Sequence, residues 1–312
     1  MTEINCGSTN VTSELQLTAC ADFVVSPLPT VKELETTHSP DYIQRFLSGD
    51  QTERENRNVG FPWSVEGVKR ATSTVGGTMA AACSVCEELE RRRLAHGGWE
   101  MAPWAAHVAG GTHHAFWDYG EGFSVFSDIA VAANVVLQRY PHIVKQILIL
   151  DLDVHQGNGN AVLFQGRKEV TTVSIHCEGN YFSEKQTSDL DIELPIGCND
   201  GTYLTTLNHW LKRIEKLTGP DHFDLIFFQA GVDILEEDRL GRMNLSADGV
   251  RRRNELVYDF VKRLNVPLVI CMGGGYPRNA DNWTPIIDAH TNVYFQAYQY
   301  LAQFSQKKKH NK

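Results

Sequence analysis

The chain has 312 residues, a length that suits one large α/β domain or two small ones. Hydrophobic residues make up 42% of the chain, which is enough for a sizeable core and excludes an intrinsically disordered protein. The formal net charge is −9 and the lysine run Lys307 to Lys309 lies in the tail, so no direct nucleic-acid binding is expected.

Cysteine content and terminal composition bear on the compartment. Seven cysteines without regular spacing predict reduced thiols. Cys83 and Cys86 form a C-x-x-C inside an Ala-rich helical pattern, so we expect packed side chains rather than a redox or zinc site. No apolar run reaches the roughly 18 residues of a membrane span, and the N-terminus lacks the features of a signal peptide. We therefore expect a protein of the nucleus, the cytoplasm or both, and an organelle stays open.

The pattern along the chain alternates helices with short strands. Residues 1–22 are polar and are expected to be loosely ordered, 23–304 to form one domain, and 305–312 to form a basic tail. Helices are predicted at Val31–Leu47 (broken at Ser39-Pro40, with Ser39 as an N-cap), Glu66–Leu94, Ser127–Tyr140, Gly201–Leu217 and Ser246–Leu264. Strands are predicted at Gln146–Leu152, Val170–Ile175, Phe223–Gln229 and Pro267–Met272. The alternation predicts a single-domain α/β fold, with a mostly parallel sheet flanked by helices on both faces.

Charged residues begin where the first predicted strand ends, in the segment ILILDLDVHQGNG. Asp151, Asp153 and His155 occupy alternate positions, which share one face of an extended chain. A buried charge must be paired or bound to a metal, because an unpaired one is costly. The pattern therefore favours a metal or catalytic site over a solvated strand end.

Two other predicted strands end in residues that could complete such a site. One is followed by AGVD, which contributes Asp233, and another by GGGY, which contributes Tyr276. Ligands of open α/β sheets bind beyond the carboxyl ends of the strands. Asp153, His155 and Asp233 then form a candidate set of three metal ligands with one coordination position left open, as in catalytic zinc sites. Such oxygen-rich ligation also admits Fe²⁺ or Mn²⁺.

The loop AGGTHH adds two adjacent histidines, His113 and His114. Beside an activated water, one imidazole could remove a proton and the other could supply one. Each would need an acceptor on its far ring nitrogen, for which Asp151 and Asn158 are candidates. Tyr276 could donate to a substrate carbonyl and to the oxyanion that develops from it. Alone, a histidine pair or a tyrosine after glycines is more often structural, so the convergence of these segments is what predicts an active site.

Other glycine motifs do not predict a nucleotide site. Gly157-Asn-Gly159 resembles half of a dinucleotide fingerprint, but the third glycine is missing. The sequence contains neither the G-x-x-x-x-G-K-[ST] loop nor the G-x-S-x-G elbow. P-loop and serine-hydrolase chemistry are therefore disfavoured as well.

Five motifs, AGGTHHAF, GEGF, DLDVHQGNG, QAGVD and GGGY, occur in this order and resemble the zinc-dependent histone deacetylase family and its bacterial and acetoin-utilisation relatives. The resemblance runs from about Val31 to Tyr300. The segments HQGNG and GFPWS are most similar to the class IV branch and its bacterial counterparts. The resemblance implies the arginase/deacetylase-like α/β fold, a Zn²⁺ cofactor with Fe²⁺ as the alternative in the cell, and a structural K⁺.

The resemblance also implies roles for the matching residues. The implied metal ligands are Asp153, His155 and Asp233, and the implied catalytic residues are His113, His114, Tyr276, Asp151 and Asn158. The implied substrate-binding residues are Gly122, Phe123, Tyr181, Phe182 and Gly274, with Tyr181 or Phe182 as the aromatic residue that faces Phe123. The implied monovalent-cation site comprises Asp151, Asp153, His155, Ser174 and Ile175.

The sequence departs from the family pattern at three points. Asn158 stands where class I members carry a second aspartate, so His114 is expected to be less basic than in class I. The opening strand and the first helix of the family are missing or replaced by residues 1–22. The acidic rim residue of class I is not identifiable, and Glu66 is its weak candidate.

Three hypotheses follow from the resemblance and the residues. The primary one is metal-dependent hydrolysis of an N-ε-acyl-lysine amide in a protein or peptide, with His114 as the base and His113, or His114 itself, protonating the leaving amine. The alternatives are a deacylase of small amines such as acetylpolyamines, and a catalytically impaired binding or scaffold protein. The sequence leaves acyl length, physiological substrate, compartment and oligomeric state open.

Overall fold

The computed structural model describes residues 22–95, 101–181, 183–219 and 222–302. A six-stranded sheet forms the centre of this part of the chain, and every neighbouring pair of strands is parallel. The strands are β1 (Trp104–His107), β2 (Ile147–Asp151), β3 (Val170–Cys177), β4 (Leu190–Leu194), β5 (Leu225–Gln229) and β6 (Leu268–Cys271). Their order is β1-β6-β5-β2-β3-β4, which puts β2 and β5 in the middle of the sheet.

Alternate residues of the central strands supply two separate cores. In β2, Ile147 and Ile149 face one hydrophobic cluster, whereas Leu148 and Leu150 face the other. Every residue of β2 and β5 is buried, as expected for parallel strands covered on both faces. The sheet is therefore the middle layer of three.

Helices cover both faces of the sheet. The helices are α1 (Val31–Leu34), α2 (Pro40–Ser48), α3 (Glu53–Val59), α4 (Val65–Leu94), α5 (Asp128–Arg139), α6 (Asn158–Leu163), α7 (Asp200–Thr218), α8 (Ala247–Leu264) and α9 (Thr284–Ala297), with a π-helical turn at Tyr298–Ala302. Residues of α2, α4 and α5 belong to the Ile147 cluster, and residues of α7, α8 and α9 belong to the Leu148 cluster. Within the described ranges, no helix combines the length and the apolarity that a membrane span needs.

The predicted α/β fold with a parallel sheet between two helical layers is confirmed. The predicted helices and strands agree with the structure to within one or two residues, and the predicted break at Ser39-Pro40 is where α2 begins. The exception is α1, which ends at Leu34, before that break. Ser39 does occupy the N-cap of α2, but its side chain makes no capping hydrogen bond. Cys83 and Cys86 are buried in the Ile147 cluster, and both are free thiols.

Five helices and strands of the described residues were not predicted, namely the strands β1 and β4 and the helices α3, α6 and α9. The two strands form the edges of the sheet and are short and only partly buried, so neither has the continuous apolar run of a central strand. The predictions for residues 1–21, and for the tail from residue 303 onwards, lie outside the described residues.

Candidate active site

The carboxyl ends of β2, β5 and β6 lie side by side and supply the loops of the candidate site. Residue register pairs Asp151 of β2 with Gln229 of β5, and Gln229 with Cys271 of β6. The segment DLDVH begins on the last residue of β2, AGVD follows β5 directly, and GGGY follows β6 after Met272. The central position of β2 and β5 thus brings together the polar segments that the sequence singled out.

Asp153, His155 and Asp233 face one another at this edge, with one ligand atom of each within 4.8 Å of the others. Nδ1 of His155 lies 3.2 Å from an oxygen of Asp153 and 3.2 Å from an oxygen of Asp233. The second oxygen of Asp153 accepts hydrogen bonds from the Gln229 side chain at 2.8 Å and from the Gly274 amide at 2.9 Å. One oxygen of Asp153 is thereby fixed by the protein, which leaves the other oxygen to bind a metal.

The electrostatics of these three residues fit a cation. Burial and the neighbouring carboxylate of Asp153 raise the pKa of Asp233 to about 8. Burial disfavours the charged form of His155, but hydrogen bonds from its ring to Asp153 and Asp233 outweigh it and raise its pKa to about 10. Positive charge between two buried carboxylates this close together stabilises both of them. A divalent ion provides that charge, and His155 is then neutral. Two carboxylates and one imidazole are a donor set that Zn²⁺ or Fe²⁺ accepts.

His113 is bound to Asp151. Its Nδ1 lies 2.7 Å from a carboxylate oxygen of Asp151, so the imidazole donates to that oxygen. Burial disfavours the charged imidazole, but the neighbouring Asp151 and Asp153 outweigh it and raise the pKa of His113 to about 9. The loop itself approaches the β6 loop so closely that a Cβ on Gly111 would lie 2.6 Å from the Gly273 nitrogen.

His114 has different partners. Its Nδ1 lies 2.8 Å from the side-chain oxygen of Asn158 and 3.1 Å from the hydroxyl of Tyr181. The amide nitrogen of Asn158 donates to Glu121 over 3.3 Å, and this bond fixes the amide so that its oxygen faces His114. Burial, followed by the charges of His113 and His155, holds the pKa of His114 well below its usual value. The imidazole is therefore neutral, with a proton on Nδ1 and the lone pair on Nε2.

Tyr276 and Phe123 stand together at the same site, with ring centroids 5.8 Å apart. Burial, and then the charges of Asp153 and Asp233, raise the pKa of Tyr276, so its hydroxyl stays protonated at neutral pH. Phe123 has a φ of 64°, a left-handed conformation that is rare outside glycine. Its amide donates to the Val59 carbonyl at 2.8 Å, which ties this conformation to the end of α3.

These residues border a cavity with two lobes. The Gly111 lobe has a volume of about 580 Å³ and contains Gly111, Gly274 and Arg70 in its wall. The Tyr181 lobe has a volume of about 410 Å³ and contains Tyr181, Arg57 and Arg242. Six residues line both lobes: Gly60, His114, Gly122, Phe123, His155 and Tyr276. The lobes therefore meet beside the candidate metal ligands.

The remaining predicted residues lie near this centre or outside the described residues. Ser174 is the register partner of Asp151, and its hydroxyl lies 3.0 Å from Nδ1 of His176. Ile175 is fully buried in the Leu148 cluster. The predicted monovalent-cation site at these residues stays a prediction. Phe182 lies outside the described residues, whereas Tyr181 lines the cavity.

Comparison with known proteins identifies the family of this chain. The model of the histone deacetylase domain matches residues 8–293. The chain belongs to the histone deacetylase family. An uncharacterized protein of Picosynechococcus is 41% identical over 252 residues, which are 81% of this chain and 78% of that protein. Histone deacetylase 2 of Arabidopsis thaliana is 30% identical over 275 residues, which are 82% of this chain and 64% of that protein.

One more named relative and one solved structure are similar to this chain. Histone deacetylase clr6 of Schizosaccharomyces pombe is 31% identical over 261 residues, which are 79% of this chain and 58% of that protein. The chain thus spans less than two thirds of the length of these two named deacetylases. The crystal structure of a histone deacetylase homologue complexed with SAHA superposes with a TM-score of 0.66 at 22% identity, over 89% of this chain and 72% of that one. At this identity the superposition shows a shared fold.

Four polar residues that support the site were not predicted from the sequence. Asp128, at the start of α5, accepts the amides of Gly111 and Thr112 and holds the histidine loop. Glu121 contacts Asn158, and Gln229 contacts Asp153. Asp238 accepts the Tyr276 amide. Gln229 and Glu121 stand within the motifs QAGVD and GEGF and could have been singled out there, whereas no local pattern marks Asp128 or Asp238.

Proposed function

We propose that this member of the histone deacetylase family hydrolyses the amide bond between an acyl group and the ε-nitrogen of lysine in a protein or peptide. The observation that carries the proposal is the wall shared by the two lobes. There, His114, Tyr276 and the candidate metal ligand His155 all border one cavity. A base, a hydrogen-bond donor and a metal position are the groups that amide hydrolysis requires.

Asp153, His155 and Asp233 are proposed to hold Zn²⁺, with Fe²⁺ as the alternative. When bound, the ion polarises the acyl carbonyl and lowers the pKa of a water molecule. Gln229 and the Gly274 amide fix the outer oxygen of Asp153, so the carboxylate is oriented before the ion arrives. The structural K⁺ near Asp151 and Ser174 is part of the same proposal.

The two histidines divide the proton transfers. Nε2 of His114 accepts a proton from water as the C–O bond forms, because its Nδ1 proton is held by Asn158. His113, held by Asp151, donates a proton to the lysine nitrogen as the C–N bond breaks. The products are a carboxylic acid and the free amine. His114 then holds one extra proton and His113 lacks one, so a proton passes from His114 to His113 through solvent before the next turnover. The hydroxyl of Tyr276 donates to the oxyanion that develops on the acyl oxygen.

The charges at the cavity favour lysine over a polyamine as the source of the amine. Among the described lining residues, the charged side chains other than histidine are Arg57, Arg70 and Arg242 and the carboxylate of Asp153. An acetylpolyamine carries further ammonium groups. Exposed arginines repel these groups, and binding them needs a carboxylate at the mouth of the cavity. Glu66, the candidate acid, does not line either lobe. The third hypothesis, an impaired scaffold, requires a missing chemical group, yet each predicted role has a residue in place.

The test is an assay of the purified, metal-supplied protein on three substrate classes: acetyl-lysine peptides, long-chain acyl-lysine peptides and acetylpolyamines. We expect turnover of an acyl-lysine peptide and loss of turnover after chelation. A protein that turns over none of the three with Zn²⁺ or Fe²⁺ supplied would be the scaffold. Preferred turnover of acetylpolyamines would establish the small-amine alternative, and full activity after chelation would refute the metal chemistry.

A further inference from the structure

Arg253 is a fully buried charge on the core face of α8. Its neighbours Arg251 and Arg252 are exposed, whereas Arg253 has an exposed fraction of 0%. Helix α8 buries Val250 and Val257 on the same face, where an apolar residue is the ordinary choice. An arginine in this position needs a reason, because a buried guanidinium loses its hydration.

The guanidinium of Arg253 binds the backbone that carries the candidate metal ligands. One terminal nitrogen lies 3.0 Å from the carbonyl oxygen of Gly231 and 3.5 Å from that of Leu152, and the other lies 3.2 Å from that of Ala230. Leu152 directly precedes Asp153, and Ala230 and Gly231 begin the loop that ends at Asp233. The planar fork of one side chain thus bridges the ends of β2 and β5.

The remaining contacts fix the guanidinium itself. Its Nε donates to the side-chain oxygen of Asn254 at 2.8 Å, and its central carbon lies 5.3 Å from the ring centroid of Phe228. No carboxylate lies within ion-pair distance of Arg253 in the part of the chain that the structure describes. Burial is the largest influence on the pKa of Arg253 and lowers it.

We propose that Arg253 is a positioning residue for the candidate metal centre, and this rests on the proposed function. By binding the carbonyls of Leu152, Ala230 and Gly231 at once, it sets the spacing between the loop of Asp153 and the loop of Asp233. The ligand spacing decides how well a metal of preferred geometry is held, and residues that orient ligands contribute strongly to affinity.

The hydrogen bonds of Arg253 and its positive charge have opposite effects on metal affinity. A guanidinium near the site repels a divalent cation, so removing its charge alone strengthens metal binding. Removing its hydrogen bonds frees the two ligand loops and weakens metal binding. A lysine keeps the charge but replaces the planar fork by a point donor, so it separates the two effects.

The experiment measures the Zn²⁺ dissociation constant by competition with a chromophoric chelator, and the absorption spectrum of the Co²⁺-loaded protein. Three variants are compared with the wild type: Arg253→Met, Arg253→Lys and the exposed control Arg252→Met. We expect the dissociation constant to rise roughly 10–100-fold in Arg253→Met, as is typical when a ligand-orienting residue is lost. It should rise by less in Arg253→Lys, and the Co²⁺ spectrum should change in both but not in the control.

Other results overturn the proposal. Folded Arg253 variants with the wild-type dissociation constant and Co²⁺ spectrum show that Arg253 does not position the ligands. Tighter Zn²⁺ binding by Arg253→Met shows that loss of the positive charge affects metal affinity more than loss of the hydrogen bonds does. If Arg253→Met lacks a cooperative thermal transition, Arg253→Lys decides by the same two measurements. A wild-type protein that binds no Zn²⁺ refutes the proposed metal function itself, which is a different outcome.

Discussion

His114 donates from Nδ1 to the side-chain oxygen of Asn158, and these two atoms lie 2.8 Å apart. The adjacent His113 donates to a carboxylate, Asp151, at 2.7 Å. An amide stabilises an imidazolium less than a carboxylate does, so one histidine of the pair is kept neutral and the other favours the charged form. This asymmetry supports the proposal that His114 is the base and His113 the acid.

The variant Asn158→Asp is predicted to shift the pH dependence of kcat/KM. The pKa of His114 lies well below 6.5 in the wild type, so the base stays neutral and kcat/KM should not fall as the pH drops from neutral towards 6.5. A carboxylate at position 158 raises that pKa, by about one unit or more. The acid limb of the profile of kcat/KM against pH should therefore move to higher pH.

Asn244→Asp is the matched control, because Asn244 is exposed and lines neither lobe. It adds the same charge at an exposed position outside the two lobes and should leave the acid limb unchanged. The Asn158 amide donates to Glu121, so the variant Asn158→Asp/Glu121→Gln keeps a donor on that side of the new carboxylate. A profile of this double variant that coincides with the wild type contradicts the assignment of His114 as the base.

Tyr276→Phe is predicted to lower kcat while leaving KM nearly unchanged. The hydroxyl binds the oxyanion more strongly than the ground-state carbonyl, and loss of one such donor costs about 10²–10³ in kcat. Tyr294→Phe is the control, since the Tyr294 hydroxyl donates to the His107 carbonyl at 3.2 Å and lines neither lobe. Equal kcat values for Tyr276→Phe and the wild type, measured on one acyl-lysine peptide, would remove Tyr276 from the mechanism.

Chelation is predicted to lower the thermal unfolding midpoint as well as the activity. A ligand that binds only the folded state stabilises it by mass action, and Asp153 and Asp233 crowd each other when no cation separates them. Readdition of Zn²⁺ or Fe²⁺ should restore both properties, as measured by calorimetry and peptide turnover. An unfolding midpoint that is the same before and after chelation contradicts metal binding at these residues.

The central part of this fold could be predicted from the sequence because its signals are local. Strand β2 is an unbroken apolar run, and the period of two after it places Asp151, Asp153 and His155 without knowledge of the tertiary structure. The edge strand β1 could not be predicted in this way, since its sequence, WAAH, has no β-branched residue and its residues are only partly buried. The sheet around it, rather than its own propensity, makes it a strand.

The supporting residues of the site were missed for a different reason. Asp128 is separated by 16 residues from Thr112, whose amide it accepts, and Arg253 by 101 residues from Leu152. No short motif contains both partners of either pair. Arg253 in particular stands in an RRR triplet, which suggests a solvated helix face, and only the packing of α8 on the sheet separates it from the exposed Arg251 and Arg252. The contributions of Asp128 and Arg253 arise from tertiary contacts, so they are recognised from the folded structure.

Charge reversal at the arginines of the Tyr181 lobe is predicted to favour acetylpolyamine substrates. Arg57→Glu and Arg242→Glu reverse exposed charges at the cavity, and the side chain of Arg57 is 70% exposed. Each reversal should raise the ratio of acetylpolyamine to acetyl-lysine-peptide kcat/KM by roughly two- to fivefold, the size expected for exposed charge pairs. The change should shrink at high salt, because screening acts on exposed charges.

Arg54→Glu is the control for this last prediction, since Arg54 lies on the same helix, α3, is exposed and lines neither lobe. It changes the net charge of the protein by the same amount as Arg57→Glu. If all three reversals change the ratio equally, the effect comes from the net charge and the cavity arginines do not select the substrate. If only Arg57→Glu and Arg242→Glu change it, positive charge at the cavity is what disfavours a polyamine.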